Sequence, residues 1–434
     1  MSRSIYPWHA SEKISGAGNI SHMNATNVSP TAQVPPGVAL YMALVQFFFV
    51  TTWTIYVIFL PTLLKGAGIS ASWAPYILIV DQLVLMAMDI YVGVAADRAQ
   101  KTLGRLGPWV MAMTAVSCVA FLLLPFAACE YSLGAATPAI VLGLTLVWTA
   151  TSSALRAPPW VLLSKYASQP SVPRMNTLML LGLALGSAVA PYLGVTLKNI
   201  DPRWPFVLSS VSLLLATAGL IFVERYLKLS PLAPPTTTPE PADVAGRSWL
   251  FLVGALLLAL GFQIHVSINA SVQYLRFAKP DDLEWLMPVF WVGFGVAMLP
   301  GSALSKRYGD YPVMAVAALL GAAGACATAA ATSLDTLIAA QAVTGGAWGC
   351  MLMCGFNAAV AAGRSGREGL SLGMLFAVLA AATVSRIIAV LAGLPKQPQY
   401  ASALEWAPAL CWVAGALLLG TIIVRKRVRL TGTD

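Results

Sequence analysis

The stretch GVAADRAQKTLGR, residues 93–105, decides the predicted fold of this chain. It comes directly after the second of about a dozen apolar stretches that fill the sequence between residues 37 and 424. A weaker copy, GSALSKRYGD at residues 301–310, comes directly after the eighth. Because each copy follows the second apolar stretch of a group of six, we predict two related halves of six helices each.

The apolar stretches are long enough to cross a bilayer, whose hydrocarbon core of about 30 Å needs about 20 apolar residues per helix. Of the 434 residues, 58% are hydrophobic and 10% are charged, and a soluble domain of this size could not bury so much apolar surface. Backbone polar groups in lipid must be satisfied within their own segment, and the alternation typical of a barrel is absent. We therefore predict an all-α polytopic membrane protein, with 12 transmembrane helices in two six-helix, pseudo-symmetric bundles. The predicted spans are 37–64, 73–96, 108–128, 137–163, 174–197, 205–227, 248–275, 284–304, 311–331, 334–361, 369–393 and 403–424.

Five prolines between residues 231 and 241 separate the two halves. Such a segment cannot be helical throughout and carries little apolar surface, which is typical of a linker. The predicted domains are an N-terminal cytoplasmic tail (1–36), a first bundle (37–228), a cytoplasmic linker (229–247), a second bundle (248–424) and a basic cytoplasmic tail (425–434).

Lys and Arg residues are distributed unequally between the two sides of the predicted membrane. The side of the termini and the linker carries 18 of them, the opposite side carries 6, and only Arg156 and Arg386 fall inside spans. The positive-inside rule therefore predicts cytoplasmic termini, in a multi-pass protein of the cell's inner (plasma) membrane. This asymmetry explains most of the net charge of +9, and the basic soluble face typical of a nucleic-acid-binding protein is missing.

The repeated loop has the features of a contact between two helices at the cytoplasmic face. Gly93 lets a second helix approach, and the basic residues hold the loop at that face. The pattern Gly-x-x-x-Asp-Arg, followed by Gly-Arg, resembles the signature between helices two and three of the major facilitator superfamily, whose transporters consist of two six-helix halves. The resemblance implies that Asp97 and Arg98, together with Gly104 and Arg105, lock a neighbouring helix in one access state. A basic turn that only sets the topology is the alternative, and it leaves Gly93 and Asp97 unexplained.

A wider window resembles one branch of that superfamily, the glycoside–pentoside–hexuronide:cation symporters, which include melibiose permease. The spacing from Asp89 to Trp109 fits this branch without a gap, and RAPPW at residues 156–160 resembles its segment of a polar residue, proline and an aromatic. In helix eleven, RIIA at residues 386–389 lies where the branch carries a lysine before glycine and alanine. Sucrose-type proton symporters show the same resemblance. It implies cation-coupled transport, with Asp89 at the coupling site.

Three positions depart from the pattern of the melibiose carrier. Asp89 is followed by Ile90 instead of proline, and the acid one turn earlier, part of the sodium site in that carrier, is Leu85 here. The acid of the carrier's sugar site is replaced by Arg156. These departures argue against sodium coupling and galactoside binding. We expect no cofactor beyond a coupling ion, H+ or Na+, of which the proton is favoured.

Two acids, Asp81 and Asp89, lie inside the second span. Charged side chains in a membrane are costly and usually face a cavity or a partner. The two acids are eight residues apart, which places them about two turns apart in height, and we predict that both couple the cation. The alternative for Asp89 is a permanent ion pair with Arg156 or Arg386, and the alternative for Asp81 is a wet position near the outer surface.

Arg156 and Arg386 come from opposite halves of the chain. Guanidinium groups stay charged and form planar forks that suit carboxylates and phosphates. We predict that both contact the substrate, and we favour an anionic solute, such as a uronate, an organic acid or a zwitterionic lipid-like molecule, over a neutral sugar. The alternative for each arginine is a salt bridge to an acid of helix two.

Helix seven carries a polar stripe. His265, Asn269 and Gln273 are spaced by four residues and therefore share one helix face. We predict that they form a wall of the substrate site, and hydrogen-bonded contact between helices is the alternative. Gln263 lies off this stripe and is left out of the site. Trp160 is predicted to stack on a sugar ring, on the strength of its motif, and packing or anchoring at the membrane interface is the alternative.

The sequence shows no nucleophile elbow, phosphate loop or zinc signature, so we expect neither an enzyme, an ATP-driven pump nor a metal site. The expected function is cation-coupled import of a sugar-like or organic-anion solute by alternating access. The expected partners of this monomer are the small-molecule solute and the lipid bilayer, with no nucleic acid. An exporter of drugs or metabolites on the same fold is one alternative. A non-transporting helper that binds lipid, pigment or a partner is the other.

Overall fold

The computed structural model of the protein describes residues 34–102, 106–129, 134–166, 171–229, 244–363 and 366–431. Within these ranges, twelve helical segments are long and apolar enough to cross a membrane, which confirms the predicted all-α fold with twelve spans. The first half contains α1 (Pro36–Gly66), α2 (Ala74–Thr102), α3 (Gly107–Cys129), α4 (Thr137–Ser152), α5 (Ala157–Tyr166), α6 (Val172–Thr196) and α7 (Arg203–Leu229). The second half contains α8 (Val244–Ile264), α9 (Ala270–Tyr274), α10 (Leu283–Leu286), α11 (Pro288–Tyr308), α12 (Asp310–Ala329), α13 (Leu334–Gly363), α14 (Glu368–Leu391) and α15 (Pro398–Thr431).

The fourth span is interrupted at Arg156. α4 passes into a 3-10 turn at Ser153–Leu155, and α5 begins directly after Arg156. Pro158 and Pro159 lie in the first turn of α5, because a proline lacks the N–H that would bond to the preceding turn and is tolerated at a helix start. The predicted span 137–163 therefore consists of two helices, with Arg156 at their junction.

The edges of several elements differ from the predicted ones. α7 continues to Leu229 and α8 begins at Val244, and residues 230–243 of the predicted linker lie outside the described residues. α15 continues to Thr431, so the segment predicted as a basic tail is helical over most of its length. In the seventh span, α8 and α9 are joined by a π-helical turn at His265–Asn269. The predicted division of the chain into tails, bundles and linker stays a prediction.

Two pairs of long helices join the halves, because α2 packs along α14 and α6 packs along α11. We call the contact surface of α2, α5 and α6 with α11, α13 and α14 the seam. Glycines bring backbones together in it, since a Cβ at Gly93 would clash with the backbone of Gly369 and a Cβ at Gly373 would clash with the backbone of Asp89. Gly93 therefore lies where α2 and α14 touch.

Candidate functional site

The carboxylate of Asp97 lies at the N-terminus of α14, in the opposite half of the chain. Its oxygens accept hydrogen bonds from the backbone N–H groups of Gly369 at 2.8 Å and Leu370 at 3.0 Å. The first N–H groups of a helix have no partner within the helix, and the helix dipole favours an anion there. Asp97 therefore joins the halves at the end that carries the basic loops. The resemblance implies this contact, and its part in gating stays a prediction.

The structure gives less information about the contacts of the other residues of the predicted gating motif. Arg98 is exposed, and Gly104 and Arg105 lie outside the described residues. The start of α3, directly after this loop, is held by α7, because the carboxylate of Glu224 accepts a hydrogen bond from the backbone N–H of Gly107 at 2.8 Å. Asp97, before residues 103–105, is thus held by α14, and Gly107, after them, is held by α7.

Two further contacts close the seam at the same end. Asn176 of α6 donates a hydrogen bond to Asn357 of α13 at 2.7 Å, and both side chains are buried. The indole of Trp160 stacks on the ring of Phe356, with centroids 4.7 Å apart and 20° between the planes. Trp160 therefore packs against the opposite half, and only 1% of it is exposed. Its stacking on a sugar stays a prediction.

An ion pair in the seam joins Asp89 of α2 to Arg156. Arg156 Nε lies 3.2 Å from Asp89 Oδ1, the carboxylate is fully buried, and no hydrogen bond within the described part of the chain holds either oxygen. The same guanidinium reaches the second half, where Nη2 lies 3.5 Å from the Phe376 carbonyl oxygen and Cζ lies 4.7 Å from the centre of the Phe376 ring. Asp89 and Arg156 therefore form the ion pair that was the alternative to a coupling or substrate-binding role, and Arg156 contacts both halves.

Asp81 lies in a different environment, inside the first bundle. Its carboxylate accepts hydrogen bonds from the hydroxyl of Tyr56 on α1 at 2.7 Å and the hydroxyl of Thr149 on α4 at 2.9 Å. The indole of Trp148 packs against Tyr56, with ring centroids 4.5 Å apart. Because Asp81 is fully buried, the alternative of a wet position near the surface is wrong. Its part in coupling stays a prediction.

Arg386 has no acidic partner in the part of the chain that the structure describes. Its Nε is buried without a hydrogen-bond partner, and the side chain as a whole is partly exposed. Of the two arginines, Arg156 therefore forms the salt bridge to an acid of helix two, and Arg386 forms none within the described residues. The predicted contact of Arg386 with substrate stays a prediction.

The polar stripe of the seventh span is held by hydrogen bonds within the second half. His265 Nε2 lies 2.9 Å from Gln341 Oε1, and Gln341 Nε2 donates to Gln273 Oε1 at 3.2 Å. Asn269 donates to the Leu404 carbonyl at 2.8 Å. All three predicted side chains are buried, which agrees with the alternative of contact between helices. Their role as a substrate wall stays a prediction.

Sequence reasoning left out Gln263. In the structure it contacts α14 one turn before Arg386. Gln263 Nε2 donates a hydrogen bond to Thr383 Oγ1 at 2.9 Å, and Thr383 is one turn before Arg386. A signal was available in the sequence, because Gln263 and Ser267 are four residues apart and form a second polar pair in the seventh span, with Ser267 Oγ donating at 3.5 Å. No such signal marked the partners of Asp81, because they come from two other helices.

No family model matches the chain, and no curated protein matches it either. Solved structures do match. The human organic anion transporter MFSD10 (TETRAN) superposes with a TM-score of 0.66 and 14% identity, covering 89% of this chain and 100% of its own. A bacterial homologue of the iron transporter ferroportin, in its outward-facing state, gives 0.67 and 12%, covering 88% and 98%. The proton:xylose symporter XylE, a major facilitator superfamily protein, gives 0.64 and 13%, covering 89% and 94%. The chain therefore has the twelve-helix fold of the major facilitator superfamily transporters.

Proposed function

We propose that this protein is a secondary active transporter in which protonation of Asp89 drives alternating access between the two halves. The observation that carries the proposal is the buried ion pair between Asp89 and Arg156, whose guanidinium also contacts Phe376 of the opposite half. The fold supports it, since the solved structures that share this fold are transporters.

Asp89 is suited to exchange its partner for a proton. As a carboxylate it holds Arg156 by charge, and no hydrogen bond within the described residues ties its oxygens to anything else. As a neutral acid it needs no counter-charge and releases the guanidinium. Arg156, which already contacts the Phe376 carbonyl oxygen, can then turn from Asp89 to a solute. The proton on one side chain thereby changes a contact between the halves, which is the differential interaction that coupling requires.

The surroundings of Asp89 favour a proton over a sodium ion. Hard cations are bound by several oxygen ligands gathered in one place. Leu85, one turn before Asp89, is buried and supplies no side-chain oxygen. The guanidinium of Arg156 occupies the side of the carboxylate that a metal ion would need.

Alternating access requires the closed end of the seam to open. The contacts at this end are those of Asp97 with α14, Asn176 with Asn357 and Trp160 with Phe356. The basic loops predict that this end is cytoplasmic. We therefore propose import from the outer side, with the proton and a sugar-like or organic-anion solute moving together through a monomer in the inner membrane.

The test is pH-driven uptake by the purified protein in liposomes. A screen for thermal stabilisation with sugars, uronates, organic acids and lysolipids first identifies a solute. The unchanged protein should accumulate this solute along a proton gradient, whereas Asp89→Asn should lose accumulation and keep exchange. Asp335→Asn, which removes an exposed acid at the start of α13, is the control and should accumulate normally. Full pH-driven accumulation by Asp89→Asn would overturn the proposal.

The direction of transport needs a separate measurement. Right-side-out membrane vesicles should accumulate the solute when the outside is acidic. Accumulation only by inverted vesicles would replace import by export on the same fold.

A further inference from the structure

Arg386 lies on α14, the helix of the second half that packs along α2 of the first half. Thr383 is one turn before Arg386, and residues three apart are neighbours on a helix surface. Phe376, which contacts Arg156, lies earlier on the same helix. At a rise of 1.5 Å per residue, Arg386 is about 15 Å further along the helix axis than Phe376.

The charge of Arg386 is not neutralised within the described part of the protein. No carboxylate lies at ion-pair distance, and the buried Nε lacks a hydrogen-bond partner. The acids of the helices packed on α14 are engaged elsewhere or exposed. On α2, Asp89 is in its ion pair, Asp81 is held by two hydroxyls and Asp97 caps α14, and Asp335 is exposed at the start of α13. A guanidinium inside a membrane protein without a protein counter-charge indicates a partner that arrives from outside.

Neutral polar groups accompany this charge. Thr383, one turn before Arg386, accepts a hydrogen bond from the Gln263 amide at 2.9 Å, which fixes the position of that amide. Gln263 Oε1 accepts from the hydroxyl of Ser267, which is exposed. The seventh span and α14 thereby bring together a cation, an amide and two hydroxyls.

We propose that Arg386, Gln263 and Thr383 form a subsite that binds the carboxylate or phosphate group of an anionic solute. The guanidinium offers a planar fork for the acidic group, and the amide offers hydrogen bonds to a hydroxyl beside it. Because the subsite is about 15 Å from Phe376 along α14, the acidic group is held while Arg156 stays paired with Asp89. The proposal rests on the transport function proposed above and names the class of its substrate. A lipid headgroup carries the same phosphate chemistry, and the test below separates the two sources.

The first measurement uses a cysteine at position 383 to report the electrostatic potential that Arg386 creates there. In the Thr383→Cys protein, the reaction rate with anionic sulfonatoethyl methanethiosulfonate is compared with that of the cationic trimethylammonioethyl reagent, after subtraction of the reaction of the native cysteines. The anionic reagent should react faster, and Arg386→Gln should lower the ratio of the two rates by up to roughly 30-fold, because one unit charge about 4 Å away in water changes each rate about fivefold and in opposite directions. Arg276→Gln, which removes an outer arginine, should leave the ratio unchanged. An unreactive cysteine, or a ratio insensitive to Arg386→Gln, overturns the proposal.

The second measurement identifies the source of the anion by protection of the same cysteine. D-glucuronate and inorganic phosphate should slow its labelling in phosphatidylcholine vesicles, whereas D-glucose should not. Protection by neither anion overturns the proposal. Slower labelling on addition of phosphatidylglycerol, without protection by the soluble anions, assigns Arg386 to a lipid headgroup and also overturns it. Asp89→Asn should leave the charge ratio unchanged while it abolishes accumulation, so failure of the coupling mechanism is distinguishable from failure of the subsite.

Discussion

Asp81 and Asp89 lie two turns apart on the same helix and both are fully buried, yet they belong to different parts of the molecule. Asp81 is held by two hydroxyls of its own half, from Tyr56 and Thr149. Asp89 is held by Arg156, which also contacts the opposite half. When the halves rock against each other as rigid bodies, the surroundings of Asp81 move with it, whereas those of Asp89 change. Coupling is therefore expected where a partner crosses the seam, and burial alone does not identify it.

Removal of Arg156 should have the largest effect on this pair of sites. Arg156→Gln leaves the Asp89 carboxylate buried without its counter-charge, and breaking a buried pair from one side costs about 3–5 kcal/mol. The melting temperature of the purified protein should fall, and should fall further at high pH than at low pH, because a protonated Asp89 needs no counter-charge. The double variant Asp89→Asn with Arg156→Gln should recover most of the loss. A single variant that melts like the unchanged protein at high pH would show that Arg156 does not neutralise Asp89.

An intermediate effect is expected at the other acid. Asp81→Asn keeps one acceptor oxygen but turns an amide donor toward the second hydroxyl, which costs about 1–3 kcal/mol for an unsatisfied buried group. The protein should melt at a lower temperature and should still accumulate solute along a proton gradient. Loss of pH-driven accumulation, without loss of folded protein, would make Asp81 a second proton site and would remove the contrast with Asp89.

The smallest effect should come from the hydroxyl donors to Asp81. Tyr56→Phe removes one donor and retains the ring that packs on Trp148, and Thr149→Val is the matched change at the other donor. Hydrogen bonds within membrane proteins average about 0.6 kcal/mol and reach about 1.7 kcal/mol, so each variant should shift the melting temperature slightly and leave uptake unchanged. Shifts as large as that of Arg156→Gln would mean that the Asp81 site holds a charge as strained as the one at Asp89.

The long elements and one contact between the halves could be predicted from local sequence. The bilayer imposes a minimum length of apolar residues on every span, so the twelve spans are visible without a partner. Gly93 was also predictable, because close approach of two backbones needs a small residue. The contact of Asp97 with a neighbouring helix was implied only by the resemblance of its motif, since the helix that it caps is 272 residues away.

The partners of the buried polar groups could not be predicted in this way. The hydroxyls that hold Asp81 are 25 and 68 residues away, and many hydroxyls of the spans have the same local pattern. The alternative of a wet Asp81 was wrong for that reason. The pairing of Asp89 with Arg156 was one of several combinations of acids and arginines, and the sequence did not choose among them. Gln263 was left out because its spacing was measured only from His265.

The cap that Asp97 places on α14 has a consequence for the duration of each step of the cycle. While the cap is intact, a carboxylate from one half satisfies two N–H groups of the other, and the side chain of Asp97 is buried. Once the halves part, the carboxylate and both N–H groups need hydration, because unsatisfied polar groups are costly in a membrane protein. In the proposed transport cycle, opening toward the basic loops would therefore require hydration of Asp97 and of the start of α14, and we expect the lifetime of the closed state to depend on how readily they hydrate.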